Sequence, residues 1–339
     1  VRTDDVLASL TGYDLPARSI TLNEPMPNLS SPSEFAGKTV VVTGASDGIG
    51  KAAVRAYVAA GASVVMIGRN EAKTAAAARS IMSEVGAVSG TAGDQRAITW
   101  EIADLSRQEA VHDVADRLLA RLPRIDVLAN NAGAMFLDRE VTPDGFERTF
   151  ALNHLSYFTL TLRLLAPLVA ASRPGAPARV LSVSSRAHEN ANPSLDDLQL
   201  ERRFGGWKQY ANSKLYNIWF TRALARRCDP SRVVTHALHP GVVSTRFATN
   251  NGRMGRLLRR VMDVVSVTPS QGADTLVWLS SAPEALEGSG DYWVKRRRVS
   301  PSRTARDDAR AEQLWTTTSR LTGLDADQII RNTMAHAVA

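Results

Sequence analysis

From Lys38 onward the chain alternates short runs of β-branched and apolar residues with longer stretches in which apolar positions recur at helical spacing. The short runs predict strands at Thr39–Thr43, Ser63–Ile67, Ala97–Ile102, Ile125–Ala129, Arg179–Val183 and Val233–Leu238, with a last short one near Tyr292–Val294. The longer stretches predict helices from the glycine-rich turn after Thr43 through Ala60, then over Glu71–Val85, Arg107–Arg121, Pro143–Ala171 and Tyr210–Arg227. Gly86–Gln95 reads as a Gly/Ser/Thr loop. A run such as Thr39-Val-Val-Val-Thr43 has no in–out alternation, which marks a strand covered on both faces. Regular strand–helix alternation then predicts an α/β fold, a doubly wound parallel sheet of about seven strands with helices on both faces.

Pro16, Pro25, Pro27 and Pro32 stand among scattered polar residues, so 1–36 is expected to be an irregular arm. No linker-like stretch and no solenoid-period repeat interrupts the chain beyond that arm. Residues 37–295 are expected to form one domain, and 296–339 a basic extension with a helix.

The 44% hydrophobic and 22% charged residues are those of an ordinary globular protein. The excess of 41 Lys+Arg over 34 Asp+Glu comes partly from clusters such as Lys295–Arg298. With no aromatic-interleaved basic stripe, nucleic acid is not an expected partner. The single Cys228 forbids an internal disulfide; beside Asp229-Pro230 at a helix end, it reads as a bystander. No apolar run approaches the roughly 20 residues that span a bilayer, and the first residues lack a basic-then-apolar leader pattern. The expected location is cytoplasmic.

Candidate chemistry begins at Thr43-Gly44-Ala-Ser46-Asp47-Gly48-Ile49-Gly50, between a strand and a helix. Glycines there allow a tight turn and close backbone approach, and a helix N-terminus offers free N–H groups to a pyrophosphate. The next strand ends in Ile67-Gly68-Arg69-Asn70, with a guanidinium where a ribose-binding acid would select NAD. NADP(H) is therefore favoured and NAD(H) is the alternative; Asp47 opposes this, since a carboxylate repels the extra phosphate. Further on, Tyr210 and Lys214 lie four residues apart on one helix face. A cation there favours the phenolate, so Tyr210 is expected to exchange a proton near neutral pH.

At this point the chain resembles the short-chain dehydrogenase/reductase family over about Lys38 to Val294. The resemblance rests on Thr43-Gly44 to Gly50, Asn130-Asn131-Ala132-Gly133, Ser184-Ser185, Tyr210-Ala-Asn-Ser-Lys214 and Pro240-Gly241, in that order at strand ends. A retinol-dehydrogenase-like branch is suggested by Ala151-Leu-Asn153-His154-Leu-Ser-Tyr-Phe158, by Ser184-Ser-Arg-Ala-His188 and by the tail motifs Val299-Ser-Pro and Glu312-Gln-Leu-Trp315.

The resemblance implies a Rossmann-type domain and an oxidoreductase that interconverts an alcohol and its ketone or aldehyde, the substrate being a small molecule of apolar character. Tyr210 would be the acid–base, and Ser185, the second serine of its pair, would polarise the substrate oxygen. Lys214 would hold the nicotinamide ribose and lower the Tyr210 pKa, and Asn153 would anchor a water on a proton path. Beyond Ser46, Asp47, Ile49 and the glycines of the turn, the cofactor would meet Arg69, Asp104, Leu105, Asn131, Ala132, Gly133, Pro240, Gly241, Val243 and Thr245. Asn130 would line the cofactor and steady the sheet. Asp104 also reads as a helix-cap residue. Family members are often dimers or tetramers through helices corresponding to Pro143–Ala171 and Tyr210–Arg227.

The Ser185-to-Tyr210 interval is longer than in the plainest members, so His188–Gly206 is expected to form an excursion over the substrate mouth. Arg246–Val267, with apolar Met254, Leu257, Leu258, Val261 and Met262 opposite arginines, is a second candidate lid. His236 and His239 suit no common metal site and are expected to be structural, whereas His154 and His188 are candidates to approach the substrate. No metal is expected. Two other readings stay open: reduction of a carbon–carbon double bond, and a nucleotide-sensing protein without catalysis.

Overall fold

The computed structural model describes residues 33–89, 97–241 and 268–336. Its strands are β1 (Thr39–Thr43), β2 (Ser63–Gly68), β3 (Ile98–Ile102), β4 (Val127–Asn130), β5 (Ala178–Val183), β6 (Val233–His239), β7 (Tyr292–Val294) and β8 (Arg297–Val299). They form one sheet in the order β3-β2-β1-β4-β5-β6-β7-β8, parallel throughout except for the antiparallel β7–β8 pair. Successive valines of β1 explain why this sheet needs two covers. Val41 enters a core on one face, Val40 and Val42 a core on the other, and all three are fully buried.

One face carries α1 (Gly48–Ala59), α2 (Glu71–Ser89) and α7 (Pro269–Leu279), which contribute Tyr57, Ile81 and Leu276 to its core. The other carries α3 (Gln108–Leu119), α4 (Arg148–Arg163), α5 (Leu165–Ala171) and α6 (Gly206–Ala225). The helix α6 is buried on nearly all sides because the sheet, α4 and the C-terminal α8 (Asp308–Thr322) enclose it.

The structure departs from the sequence reading in several places. The helix α2 runs on through Gly86 to Ser89, where a loop was expected. A glycine in open space costs a helix about 1 kcal/mol, too little to stop one already propagating. The stretch expected to be one helix over Pro143–Ala171 starts only at Arg148, with both Glu147 carboxylate oxygens accepting from the Thr149 and Phe150 amides at 2.8 Å. A π-helical turn at Ala151–Leu155 interrupts it, and a 57° bend separates α4 from α5. An eighth strand joins the sheet through a hairpin whose turn residues, Lys295 and Arg296, both have positive φ; Asp274 of α7 holds the Arg296 guanidinium at 2.7 Å. Of the expected N-terminal arm, Phe35 is fully buried against Tyr57, with ring centroids 5.2 Å apart.

The C-terminal helices α8 and α9 (Ala326–His336) close the outer side of α4, α5 and α6. Trp315 lies between Phe158 and Phe220 at 5.0 and 6.2 Å, and the Arg227 guanidinium sits 4.4 Å over its ring. Arg226 and Arg227 bind Glu312, and Arg227 also binds Asp327. The helices that the resemblance assigns to subunit contacts are thus covered by this chain's own tail. Among the described residues no single helix is long and apolar enough to cross a membrane.

Candidate active site

Strand order reverses about β1, whose neighbours are β2 and β4, and a crevice opens at the carboxyl ends of strands around such a switch point. The motifs read from the sequence converge on this edge. Thr43 Oγ1 accepts from the Asn131 and Ala132 amides at 2.8 and 2.9 Å, and the Asn131 side chain donates to the Thr43 carbonyl at 2.8 Å, stitching β1 to β4. Gly44 has φ 64°, and a Cβ on it would stand 2.8 Å from Ala132 Cα. A Cβ on Gly50 would stand 2.3 Å from the Gly44 carbonyl oxygen. The turn therefore presents bare backbone at the N-terminus of α1, a cradle that fits the pyrophosphate of a dinucleotide.

Asp47 caps α1 by accepting from the Gly48 amide at 2.8 Å, and Lys73 of α2 pairs with its carboxylate at 2.8 Å. This pairing removes much of the repulsion that Asp47 was expected to exert on a phosphate. Ser46, Gly48 and Ile49 are half-buried in the same turn, and Arg69 is exposed just after β2. Asp104 accepts from the Ser106 amide and hydroxyl at 3.1 and 2.7 Å, an Asx turn ahead of α3. Leu105 is buried in the core, and its side chain is not free to line the crevice. Asn130 is also fully buried and donates to Thr161 Oγ1 at 2.9 Å, so it steadies the sheet without lining the crevice. Pro240 and Gly241 are half-buried after β6, and Gly241 has φ 88°. Val243, Thr245 and the candidate lid Arg246–Val267 lie outside the described residues.

The four candidate catalytic residues meet beside this crevice. Ser184 is buried and its hydroxyl donates to the Lys214 carbonyl at 2.7 Å, whereas Ser185 is half-buried with its hydroxyl beside the Tyr210 phenol. The Lys214 ammonium lies 5.7 Å from the Tyr210 ring and 5.9 Å from the Tyr157 ring, and donates to the Val183 carbonyl at 3.0 Å. Asn153, in the π-turn of α4, is locked by Ala134: its Oδ1 accepts from the Ala134 amide and its Nδ2 donates to the Ala134 carbonyl, each at 2.9 Å. A Cβ on Gly133 would lie 3.2 Å from Lys214 Nζ and 3.3 Å from Asn153 Oδ1, so a bare α-carbon is what lets these two groups approach.

Electrostatics correct one expectation. Burial pushes the Tyr210 phenol up to about 12, with the Ser185 hydrogen bond acting against that rise. Burial also draws the Lys214 ammonium down to about 7. Desolvation thus dominates at Tyr210, which holds its proton at neutral pH.

The histidines divide differently from the sequence reading. His154 is buried against Phe150 and Tyr216, bonded to Thr318 of α8 at 2.9 Å and lowered by burial to about 3, so it belongs to the core and not to a substrate site. His236 bonds the Ala285 carbonyl at 2.8 Å, and His239 accepts from the Gly241 amide at 3.1 Å; both are structural. Among the described residues no cluster could hold a metal ion. His188 lies behind Ser185, bonded to its carbonyl.

The excursion between Ser185 and α6 is fastened down. Gln199 accepts from the Glu147 amide at 2.7 Å, and Gln209 donates to the Leu198 carbonyl at 3.0 Å and to the buried Glu147 carboxylate at 2.8 Å. Sequence reasoning missed Glu147 and Gln209. It also missed Ser213, which accepts from Asn153 at 2.9 Å; Tyr157, whose phenol donates to the Ala132 carbonyl at 2.8 Å; and Lys73. Ser213 and Tyr157 sit inside motifs already singled out, one turn from Tyr210 and Asn153 respectively, and their helical spacing was the available signal.

The model of the family described as short chain dehydrogenase matches residues 38–255. Human retinol dehydrogenase 14 is 36% identical over 308 residues, covering 86% of this chain and 88% of that protein. A crystal structure of an uncharacterised protein from Mycobacterium paratuberculosis superposes with a TM-score of 0.67 at 29% identity, covering 87% of this chain and 97% of that one. A Beutenbergia cavernae protein solved with bound NADP at low occupancy gives a TM-score of 0.60 at 26% identity, covering 77% and 96%. With the glycine turn, the serine pair and the Tyr210–Lys214 helix all placed at one sheet edge, the chain belongs to the short-chain dehydrogenase/reductase family of oxidoreductases.

Proposed function

We propose that the chain is an NADP(H)-preferring oxidoreductase that interconverts an alcohol and its ketone or aldehyde, with Tyr210 as the acid–base. The observation that carries this reading is the convergence of three groups, with the Lys214 ammonium 5.7 Å from the Tyr210 ring and the Ser185 hydroxyl acting on the Tyr210 phenol. A nicotinamide dinucleotide held by the glycine turn would supply or accept the hydride and, when oxidised, bring a positive charge. In the reducing direction Tyr210 gives its proton to the carbonyl oxygen while Ser185 donates a hydrogen bond to the charge developing there. The buried Lys214 stabilises the phenolate left behind, and Asn153, fixed at Ala134 and Ser213, holds the position of the proton path. Burial keeps Tyr210 protonated, the form that reduction consumes.

The preference for NADP(H) is supported by exposed Arg69 after β2 and by Lys73, which neutralises Asp47. The Beutenbergia cavernae relative solved with NADP agrees with it. An apolar alcohol or carbonyl as substrate is supported by the likeness to a retinol dehydrogenase. The test is a panel of apolar and polar ketones, aldehydes and alcohols with both cofactors, followed by nicotinamide absorbance. Turnover of apolar carbonyls with NADPH well above that with NADH supports the reading. Turnover of none of the panel with either cofactor contradicts it.

A further inference from the structure

We propose that His188 is a positioning residue for Ser185: its Nδ1–H holds the Ser185 carbonyl and so fixes the hydroxyl beside Tyr210, while the Ser302 amide, bonded to Nε2, selects the tautomer that donates there. This rests on the alcohol–carbonyl reading above and adds a residue which that reading does not use.

Three bonds hold the turn that Ser185 begins. Its hydroxyl accepts from the Ala187 amide at 3.2 Å, and its carbonyl takes both the His188 amide at 3.1 Å and the His188 Nδ1 at 2.8 Å. On the other side of the ring, Nε2 lies 3.2 Å from the Ser302 amide nitrogen. A carbonyl can only accept and an amide N–H can only donate, so both bonds form only when Nδ1 carries the proton and Nε2 is bare. The neutral ring is the form that satisfies them, and burial, which lowers the His188 pKa, keeps it neutral. The ring is 1% exposed and packs edge-on against Tyr292 with centroids 5.0 Å apart.

Ser302 belongs to the segment after β8, in the basic extension that the sequence reading left without a role. Through His188 this extension reaches the Ser185 turn, and Ser185 in turn meets Tyr210. A small displacement of such a group removes much of its contribution to rate, because the reacting atoms need alignment.

The experiment compares the wild-type chain with His188→Phe, His188→Asn and Tyr210→Phe. It measures NADPH affinity by fluorescence and steady-state reduction of all-trans-retinal, or of another panel carbonyl if the wild type prefers it. Phe keeps the packing on Tyr292 without either hydrogen bond, whereas Asn can still donate to the Ser185 carbonyl. The expected result is a kcat about ten- to a hundred-fold lower in His188→Phe. NADPH affinity and substrate KM stay within about threefold of wild type, and His188→Asn recovers most of the kcat. Wild-type kcat in His188→Phe overturns the proposal while Tyr210→Phe remains inactive. Equal loss in the Phe and Asn variants, with the cofactor still bound, overturns it too. An active Tyr210→Phe variant would instead remove the acid–base reading beneath it.

Discussion

Ser184 donates its hydroxyl to the Lys214 carbonyl of α6 at 2.7 Å, while the next residue, Ser185, just past β5, keeps its hydroxyl by the Tyr210 phenol and acts against the rise of its pKa. The two serines should separate in a mutational test. Ser185→Ala removes the donor that polarises the substrate oxygen and should lower kcat by about 10²–10³-fold. Ser184→Ala breaks a buried bond to a helix carbonyl, which costs about 1 kcal/mol of stability and leaves kcat within a few-fold. Equal kinetic losses in the two variants would show that the pair acts as one structural unit.

Lys214 should reveal its burial through pH. Unfolded, it keeps its proton up to about its ordinary 10.5; folded, it releases it near 7. Between those values the unfolded state binds more protons, so this residue's contribution makes stability rise with pH across that window. Below about 7 both states carry the charge and the burial penalty is fully present. Lys214→Met should therefore be more stable than wild type at about pH 6, by about 1–3 kcal/mol once the lost bond to Val183 is discounted. The gain should shrink as pH approaches 10.5, while turnover is lost at every pH. Urea denaturation of both proteins at several pH values measures it, and a difference independent of pH would contradict the assignment.

Cofactor preference should follow the charges after β2. Arg69→Asp removes a charge-assisted partner of a 2′-phosphate and adds repulsion, so NADPH affinity should fall about 10- to 100-fold with NADH affinity little changed. Lys73→Ala should weaken NADPH by a smaller factor, because it frees the Asp47 carboxylate that Lys73 holds at 2.8 Å. Dissociation constants for both cofactors, measured at one salt concentration, check this. Unaltered NADPH binding in the Arg69 variant would leave the preference without a source.

Trp315 is buried between Phe158 and Phe220 and covers the outer side of the helices that carry Asn153 and Tyr210. Trp315→Ala should cost about 3–5 kcal/mol and lower the unfolding midpoint of the whole domain. Calorimetry distinguishes this from a tail that melts independently, which would give a separate transition and an unshifted main one.

Much of this architecture was legible in the chain because its signals are local. Six short β-branched runs became β1 to β6, and glycines at 44 and 50 marked a turn that side chains would block. What was not legible depends on long-range contacts. The β7–β8 hairpin has Lys295 and Arg296 at positive φ in place of the expected Asn-Gly, and an arginine–aspartate pair to α7 holds it there. The π-turn at Ala151–Leu155 leaves no mark in hydrophobic spacing, yet it places Asn153 against Ala134. The expectation that Lys214 would lower the Tyr210 pKa rested on the helix face, which gives their separation and not the burial that holds the phenol up and draws the ammonium down. The role of His154 reversed for the same reason: its partner, Thr318, is far along the chain.

The most direct test of the central claim is Tyr210→Phe, with NADPH affinity and carbonyl reduction measured on the same preparation. Loss of the hydroxyl should lower kcat by about 10²–10⁴-fold, the range of general acid catalysis, while NADPH binds within a few-fold of wild type. Undiminished turnover in this variant would contradict the assignment of Tyr210 as the group that passes the proton.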